Sequence, residues 1–299
     1  MKFSRKTAPY AGVFWMFVTG VLFVGVTVLV KINGTRIPAA QAAFLRYILG
    51  FAFLIPMLLK TRITSNSARL WGLFTIRGIA HSCGIIGWFY AMANISIAEV
   101  TALSYLSPIF VTLGAAVFLG EQLALRRILA VVAALLGSLI ILRPGFRTLD
   151  PAHYGMMITA VFFAVSYLLG KYLSEDNSPA LLVIMLSFFV SIGLAPVAWS
   201  VWIPPTLNEV VILGGVALLA TAGHYTMALA FSAAPITVTQ PVSFLQLVWA
   251  VLIGALFFGE GFDFWVVLGG GIIMGSVIFI AWREAVLERR LRAAEARIG

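Results

Sequence analysis

The chain has 299 residues, of which 62% are hydrophobic and only 10% are charged. A soluble domain is about half apolar and a quarter charged, so the mean hydropathy of +1.04 excludes an ordinary water-soluble protein and indicates an integral membrane protein. The net charge of +9 does not indicate nucleic-acid binding because the basic residues stand in the termini and short loops, and one cysteine with three histidines excludes an internal disulfide and disfavours a metal cluster.

Ten apolar runs follow one another along the chain, each close to the roughly 20 residues that cross a bilayer as a helix. They cover residues 10–32, 38–59, 70–93, 97–119, 126–142, 152–174, 179–201, 208–231, 236–258 and 263–282. The basic segment before the first run resembles the start of a signal peptide. The run is longer than a signal-peptide core and lacks a small-residue cleavage site, so we predict a first membrane anchor. The predicted fold is all-α and polytopic, with ten transmembrane helices.

Ten spans place both termini on one side of the membrane. The loops of that side hold Lys2, Arg5, Lys6, Lys60, Arg62, Arg69, Arg126, Arg127, Arg283, Arg289, Arg290, Arg292 and Arg297, whereas the other side holds Lys31, Arg36, Arg143 and Arg147. Thirteen basic residues against four place the termini in the cytoplasm. We therefore expect a multi-pass protein of the cell inner membrane, with residues 285–299 as a charged cytoplasmic tail.

A Gly-Glu pair ends the fourth span at Gly120-Glu121 and recurs at the end of the ninth, at Gly259-Glu260. At this offset of 139 residues, nearly forty positions align without a gap, and Gly84 falls on Gly223. Shared Gly, Ser and Glu at one offset indicate a duplication. Each half has an odd number of spans, so the second half is predicted to be inverted relative to the first. The predicted units are residues 1–147 and residues 148–284.

Polar and aromatic side chains inside the spans are candidate site residues, because burying them in hydrocarbon is costly unless they face a cavity or a partner. The candidates for substrate contact, in chain order, are Trp15, Arg77, His81, Trp88, Ser104, Tyr105, His224, Tyr225, Ser243 and Gln246. Each has a structural alternative. Hydroxyls bond back to their own helix, tryptophans anchor at the interface, Arg77 could snorkel to the cytoplasm, and His81 could bond a neighbouring helix.

Two prolines and two glutamates complete the candidate set. Pro108 and Pro241 lack an amide hydrogen in mid-span and are predicted to kink their helices. Such kinks serve either as hinges beside a cavity or only for packing. Glu121 and Glu260 stand just beyond their spans, and we expect them to accept hydrogen bonds from the amides that open the next helix. This structural role at a helix end is favoured over proton transfer.

Several of these motifs together carry a family resemblance. They are Phe44-Leu45-Arg46-Tyr47, Trp88-Phe89-Tyr90-Ala91-Met92-Ala93, Ser104-Tyr105-Leu106-Ser107-Pro108, Gln240-Pro241-Val242-Ser243-Phe244-Leu245-Gln246 and the two Gly-Glu pairs. With them the sequence resembles the drug/metabolite transporter superfamily, and its ten-helix EamA-type members in particular. One departure is Leu247, the repeat mate of Pro108, where the family often repeats the proline. Within the superfamily the chain is most similar to bacterial exporters of aromatic and other neutral amino acids. The resemblance implies that the third, fourth, eighth and ninth spans line a central cavity.

The sequence places no Asp or Glu in the middle of any span. Carriers that exchange cations for protons usually need such a carboxylate. We therefore predict neutral or zwitterionic substrates and transport that is not driven by a buried acid, with Arg77 or His81 meeting a substrate carboxylate.

The function predicted from the sequence is secondary transport. We predict export of small metabolites, aromatic or other neutral amino acids first, by alternating access between inverted repeats. The alternatives are a carrier of a vitamin, a nucleotide-sugar or a drug-like compound, a channel, and a membrane enzyme. No nucleophile or phosphate-binding motif is present, so we expect no catalytic residue, cofactor, metal site or nucleic-acid partner. The expected partners are a small-molecule substrate and membrane lipid. Direction, driving force and oligomeric state stay open, a monomer being one possibility.

Overall fold

The computed structural model describes residues 9–59, 61, 67–107, 109–110, 113–114, 125–143, 148–173, 177–233, 242, 245–276, 278–279, 282 and 286. These residues form ten α-helices of eight residues or more, and no β-strand occurs among them. The helices are α1 Pro9–Asn33, α2 Ala39–Leu58, α3 Ala68–Asn94, α4 Ile97–Ser104, α5 Leu125–Leu142, α6 Pro151–Leu173, α7 Pro179–Ser200, α8 Leu207–Ala233, α9 Leu245–Phe258 and α10 Phe264–Ser276. The predicted all-α, ten-helix fold is confirmed.

The largest differences from the predicted spans concern α4 and α9. The regular part of α4 ends at Ser104, and the Tyr105 amide bonds back to the carbonyls of Ala102 and Leu103 in a tighter turn. After Tyr105, the described residues 106–107, 109–110 and 113–114 are helical. The first half of the ninth span and most of the tail 285–299 lie outside the described residues.

Short polar side chains start many of the helices. Ser67, Ser96 and Ser178 accept hydrogen bonds from the amides of Leu70, Glu99 and Leu181 at 3.1–3.2 Å, at the openings of α3, α4 and α7. Asp150 accepts the Ala152 amide at 2.8 Å, and Asp263 accepts the Trp265 amide at 2.9 Å. These oxygens satisfy amides that have no partner inside a helix, which fixes where each helix begins.

The connections α1–α2, α3–α4, α5–α6, α7–α8 and α9–α10 meet at one end of the bundle, which we call the distal face because α1 begins and α10 ends at the other end. At this face Lys31 lies in the last turn of α1. Its Nζ donates to the carbonyl of Ile95, just before α4, at 2.8 Å. His153 opens α6, the repeat mate of α1, and it contacts Glu99 at 3.3 Å. Because α1 ends where α6 begins, the two halves are inverted.

The helix contacts repeat when the halves are exchanged. Helix α1 packs on α8 as α3 packs on α6, and α3 contacts α7 as α8 contacts α2. Helix α8 spans 207–233, which is α3 shifted by 139 residues at both ends. The large apolar core draws on both halves, from Val26 of α1 to Ile273 of α10. The principal contacts are therefore made between the repeats.

The outside of the bundle is apolar. Phe257 and Leu256 at the end of α9 are 76% and 75% exposed, as expected for side chains that face lipid. Five described helices, α1, α2, α6, α7 and α8, contain segments long and apolar enough to cross a membrane, and α5, α9 and α10 contain shorter apolar segments. Helix α3 has 27 residues and carries Arg69, Arg77 and His81.

Candidate functional site

Two histidines meet in the middle of the bundle, one from each half. The rings of His81 on α3 and His224 on α8 lie 5.9 Å apart. His81 is 2% exposed, and its Nδ1 is 3.2 Å from the hydroxyl oxygen of Ser166 on α6. His224 is partly exposed. A polar pair between the repeats is the arrangement that a midplane substrate site requires.

Aromatic rings surround this pair. Phe163 of α6 lies 5.0 Å from His81, Tyr47 of α2 lies 6.3 Å from it, and Phe23 of α1 lies 5.2 Å from His224, measured between ring centroids. We call Phe23, Tyr47, His81, Phe163, Ser166 and His224 the central cluster. Its ring contacts are edge-on or tilted, a geometry that favours aromatic neighbours. The central cluster therefore offers polar atoms framed by flat apolar surfaces.

Two arginines stand beside the central cluster. Arg46 is 4% exposed, and its guanidinium carbon lies 3.9 Å from the centroid of the Tyr47 ring. Arg77 lies one turn before His81 on α3, and its Nη1 donates to the carbonyl of Leu182 on α7 at 3.2 Å. A Cβ at Gly170 of α6 would come within 3.1 Å of this guanidinium. Arg77 thus contacts α6 and α7 inside the bundle.

Gln246 lines a small cavity between α1, α4 and α9. The cavity also borders Thr27 and Thr101, and its volume is about 10 Å³, enough for about one water molecule. Both threonine hydroxyls bond back to their own helices, to the carbonyls of Phe23 at 2.8 Å and Ile97 at 2.7 Å. The Gln246 side chain is therefore the polar group available to a molecule entering there.

Glu260 binds the opening of α4 from the opposite half. Gly259 adopts a positive φ of 62° directly after α9, a conformation that glycine tolerates. The Glu260 carboxylate accepts the Ile97 amide at 3.0 Å and pairs with Lys31 at 3.1 Å. The helix predicted to donate to Glu260 was the next one, α10. That assignment was wrong, because Asp263 already caps α10 and Glu260 reaches across to α4 of the other half.

Further polar pairs join the two halves at the distal face. Arg36 donates to the carboxylate of Glu209, and the hydrogen bond raises the pKa of the Arg36 guanidinium. Arg143 pairs with Asp263, and His153 with Glu99. The Gln41 amide exchanges two hydrogen bonds with the backbone of Ile203, at 2.6 and 2.8 Å. Each pair has one member in residues 1–147 and the other in 148–284, so the distal face is closed by contacts between the repeats.

The family model of the EamA-like transporter family matches residues 10–143 and again residues 151–282. The chain belongs to this family. It is similar to a riboflavin transporter of Rhizobium johnstonii, with 29% identity over 93% of each chain. It is also similar to an S-adenosylmethionine uptake transporter of Rickettsia bellii, with 24% identity over 91% of this chain and 94% of the relative. A pseudopaline exporter of Pseudomonas aeruginosa is 26% identical over 91% of this chain and 96% of the relative.

A crystal structure of another protein has the same fold as this EamA-like transporter. It superposes with a TM-score of 0.62 over 95% of this chain and 99% of the other, at 16% identity. The family and the fold establish a membrane transporter of small molecules with two repeats. The resemblance to amino-acid exporters has no counterpart in the names of the three relatives.

The structure places only some of the predicted site residues together. The structure brings His81 and His224 together and sets Arg77 beside them, and it places Gln246 in the cavity. Ser104 bonds back to the Val100 carbonyl at 2.7 Å, which is the structural alternative. The Tyr105 hydroxyl accepts the Leu247 amide at 3.1 Å and so ties α4 to the start of α9.

Among the described residues, the aromatic candidates Trp15, Trp88 and Tyr225 make no ring contact with the central cluster. Trp15 and Trp88 pack on their chain neighbours Phe14 and Phe89, at 5.2 and 5.5 Å between ring centroids. Tyr225 is 37% exposed. Its neighbour His224 takes the inward position because adjacent helical residues point about 100° apart. Pro108, Pro241, Ser243 and Glu121 lie outside the described residues.

The sequence interpretation overlooked members of the central cluster on the first, second and sixth spans. Ser166 falls on Thr27 at the 139-residue offset, and both hydroxyls face the junction of the repeats. This match between the two repeats could have identified Ser166 from the sequence. Tyr47 belongs to the family motif Phe44-Leu45-Arg46-Tyr47 but is not among the predicted site residues.

Proposed function

We propose that this EamA-like transporter carries a small metabolite by alternating access through a site formed by the central cluster and Gln246. The observation that supports this most directly is the His81–His224 contact, because it joins α3 and α8, the mates of the two repeats, at a buried point. A site shared between repeats changes its exposure when one repeat tilts against the other. The described cavity holds about one water molecule, so substrate entry requires the repeats to separate.

The first substrate class we propose is zwitterionic or neutral amino acids, aromatic ones foremost, moved outward. Tyr47, Phe163 and Phe23 supply flat surfaces for an aromatic side chain. The ring nitrogens of His81 lie beside Tyr47 and Phe163, and Gln246 supplies an amide beside α1. The absence of an acid in mid-span supports a substrate that is not a cation. Glu260 has a structural role in this proposal, since it holds Lys31 and the opening of α4.

A flat vitamin is the second candidate. A riboflavin transporter is among the relatives named above, at 29% identity, and an isoalloxazine ring also suits aromatic walls. The two candidates differ in charge, because an amino acid carries a carboxylate and riboflavin does not.

The moving units in this proposal are residues 1–147 and 148–284. The positive-inside count supports an inner-membrane protein with both termini in the cytoplasm, which makes the distal face periplasmic. The inter-repeat pairs at the distal face then close the periplasmic side, and the site would open toward the cytoplasm first.

Counterflow in proteoliposomes tests this function. Vesicles containing the full chain are loaded with unlabelled phenylalanine, tyrosine, leucine or riboflavin and diluted into a trace of the labelled compound. We expect transient accumulation above equilibrium for at least one compound, with protein-free vesicles as the control. Equilibration through an open pore would give no overshoot and would indicate the channel alternative. No uptake of any compound would contradict the proposed substrates.

A further inference from the structure

Two arginines are held inside the membrane-spanning bundle, one beside Tyr47 and the other one helical turn before His81. Arg46 on α2 is 4% exposed and faces the Tyr47 ring. Arg77 on α3 points between α6 and α7, where it contacts Gly170 and the Leu182 carbonyl. A guanidinium stays protonated in proteins. The site of the proposed transporter therefore carries at least two fixed positive charges.

The helices around these charges contain no acid to balance them. The first Asp or Glu of the chain is Glu99, so α1, α2 and α3 have none, and neither α6 nor α7 contains one. Glu209 opens α8 and is bound by Arg36. It precedes His224 by 15 residues, about 22 Å along a helix. The charges of Arg46 and Arg77 thus lack a carboxylate from the surrounding helices.

Buried polar nitrogen atoms in the same region also lack partners. Among the described residues, Nε of Arg77 and Nε2 of His81 are buried and have no hydrogen-bond partner. Leaving a buried cation or donor unpaired is costly, and such groups are normally balanced by an anion. The neutral contacts that do exist, a tyrosine ring and one carbonyl, do not neutralise the charge.

We propose that the substrate itself supplies the missing anion: the transported molecule carries a carboxylate or another oxyanion, which binds between Arg46 and Arg77 beside His81. This inference rests on the proposed function and narrows its substrate class. A planar guanidinium matches a carboxylate through paired N–H donors. The site then favours amino acids and other organic anions over uncharged vitamins such as riboflavin, and it rejects cations.

A protein counter-ion from the loop after α6 is the competing explanation. Glu175 and Asp176 stand in that loop, outside the described residues. Glu175 follows Gly170, which contacts the Arg77 guanidinium, by five residues. Arg46 lies on another helix, α2, and contacts the Tyr47 ring, so Arg46→Gln is the main variant for the test.

The test compares an isosteric pair of probes, 3-phenylpropionate and 3-phenylpropanamide, on the full chain in detergent. Binding is followed by the rise of the thermal transition with probe concentration, which does not depend on transport. We expect the carboxylate to bind at least about tenfold more tightly than the amide, since a charge-assisted hydrogen bond is worth that much or more. Arg46→Gln and Arg77→Gln should each remove most of this preference, and Arg46→Lys should retain part of it.

Arg69→Gln is the matched control. Arg69 also lies on α3, but it is exposed, and among the described residues its side chain has a hydrogen bond only with Tyr172, at 3.4 Å, so its loss should leave the preference intact.

Equal binding of the two probes, or binding of neither, would overturn the proposal. So would a preference that appears only after Glu175→Gln, because Glu175 would then be the counter-ion. Counterflow of a metabolite without carboxylate preference would refute this inference alone. Carboxylate preference without any counterflow would refute the transport function alone.

Discussion

At the scale of single residues, His81 makes most of the ring contacts of the central cluster. Its ring touches Tyr47, Phe163 and His224, which belong to three different helices. The neighbouring Ser82 is equally buried, but it bonds back to the Gly78 carbonyl at 2.9 Å. Ser82 also lies 3.4 Å from the Val190 carbonyl of α7. Two adjacent buried polar residues of α3 thus have different roles, since His81 contacts side chains of the central cluster and Ser82 contacts backbone carbonyls.

His81→Ala should lower the counterflow rate by about fivefold or more, because the ring contacts of the proposed site are worth about 1 kcal/mol or more. The variant should still fold, since the helix backbone is unaffected. Counterflow and the thermal transition are measured on the same preparation. Ser82→Ala is the control and should transport like the wild type. Equal rates for the two variants would mean that the central cluster is not the site.

Gln246 brings an amide side chain into the cavity between α1, α4 and α9. A Cβ at Gly20 would lie 3.6 Å from Cγ of Gln246, so a small residue on α1 leaves room for this side chain. Gln246→Ala should reduce counterflow by about two- to tenfold, the value of an uncharged hydrogen bond. Val248→Ala, on the outward face of the same helix, should leave the rate unchanged. A normal rate in Gln246→Ala would remove this residue from the site.

The sequence was a better guide to which polar residues to choose as candidates than to what each of them contacts. His81, His224 and Gln246 could be chosen because unpaired polar groups in hydrocarbon are costly. Ser104 fits the same rule and yet bonds its own helix. Phe163 could not be chosen, because an apolar residue in an apolar span gives no signal until the fold sets it against His81. Glu260 was recognised as a helix-end group, but its partner α4 follows from the packing of the two halves.

At the scale of elements, close helix crossings depend on glycines of α3. A Cβ at Gly84 would lie 2.6 Å from a ring carbon of Phe163 on α6, whereas a Cβ at Gly72 on the same helix would meet nothing within 4 Å. The first distance is too short for any real contact, and the ring is packed against His81. The crossing of α3 and α6 therefore requires glycine at residue 84.

Gly84→Ala should destabilise the protein by about 1–3 kcal/mol through overpacking of this crossing. Gly72→Ala should be neutral or stabilising by up to about 1 kcal/mol, because alanine is the better helix former. Thermal unfolding in detergent, followed by circular dichroism, compares the two variants. Similar loss of stability in both would show that the effect comes from the helix itself and not from Phe163.

Most helix positions followed from the apolar runs because a membrane helix must satisfy its own backbone over about 20 residues. The bounds of α3, Ala68–Asn94, and of α7, Pro179–Ser200, lie within two residues of the prediction at each end. Helix α4 differs, since its regular part ends at Ser104 while the apolar run continues. Hydropathy indicates which residues are compatible with lipid, but it does not indicate where a helix ends in a tighter turn.

At the scale of the whole molecule, ion pairs join the two repeats at the distal face of the bundle. Lys31–Glu260, Arg36–Glu209, Arg143–Asp263 and Glu99–His153 each link the first half to the second. Alternating access requires these links to break when the distal face opens. Each therefore stabilises the conformation closed at this face, and removing one shifts the population toward the open form.

Glu260→Ala removes both the Lys31 pair and the bond to the Ile97 amide, and we expect it to raise the population open at the distal face by about tenfold, or roughly 1.4 kcal/mol. The measurement uses Thr101→Cys, a cavity position, in a Cys83→Ser background. A membrane-impermeant thiol reagent applied from the distal side should label this cysteine about tenfold faster after Glu260→Ala.

Asp150→Asn is the control, because Asp150 lies at the same face but caps α6 within its own half. If Asp150→Asn accelerates labelling equally, loosening of the face in general would explain the result. If Glu260→Ala leaves labelling unchanged, Glu260 does not hold the distal face closed.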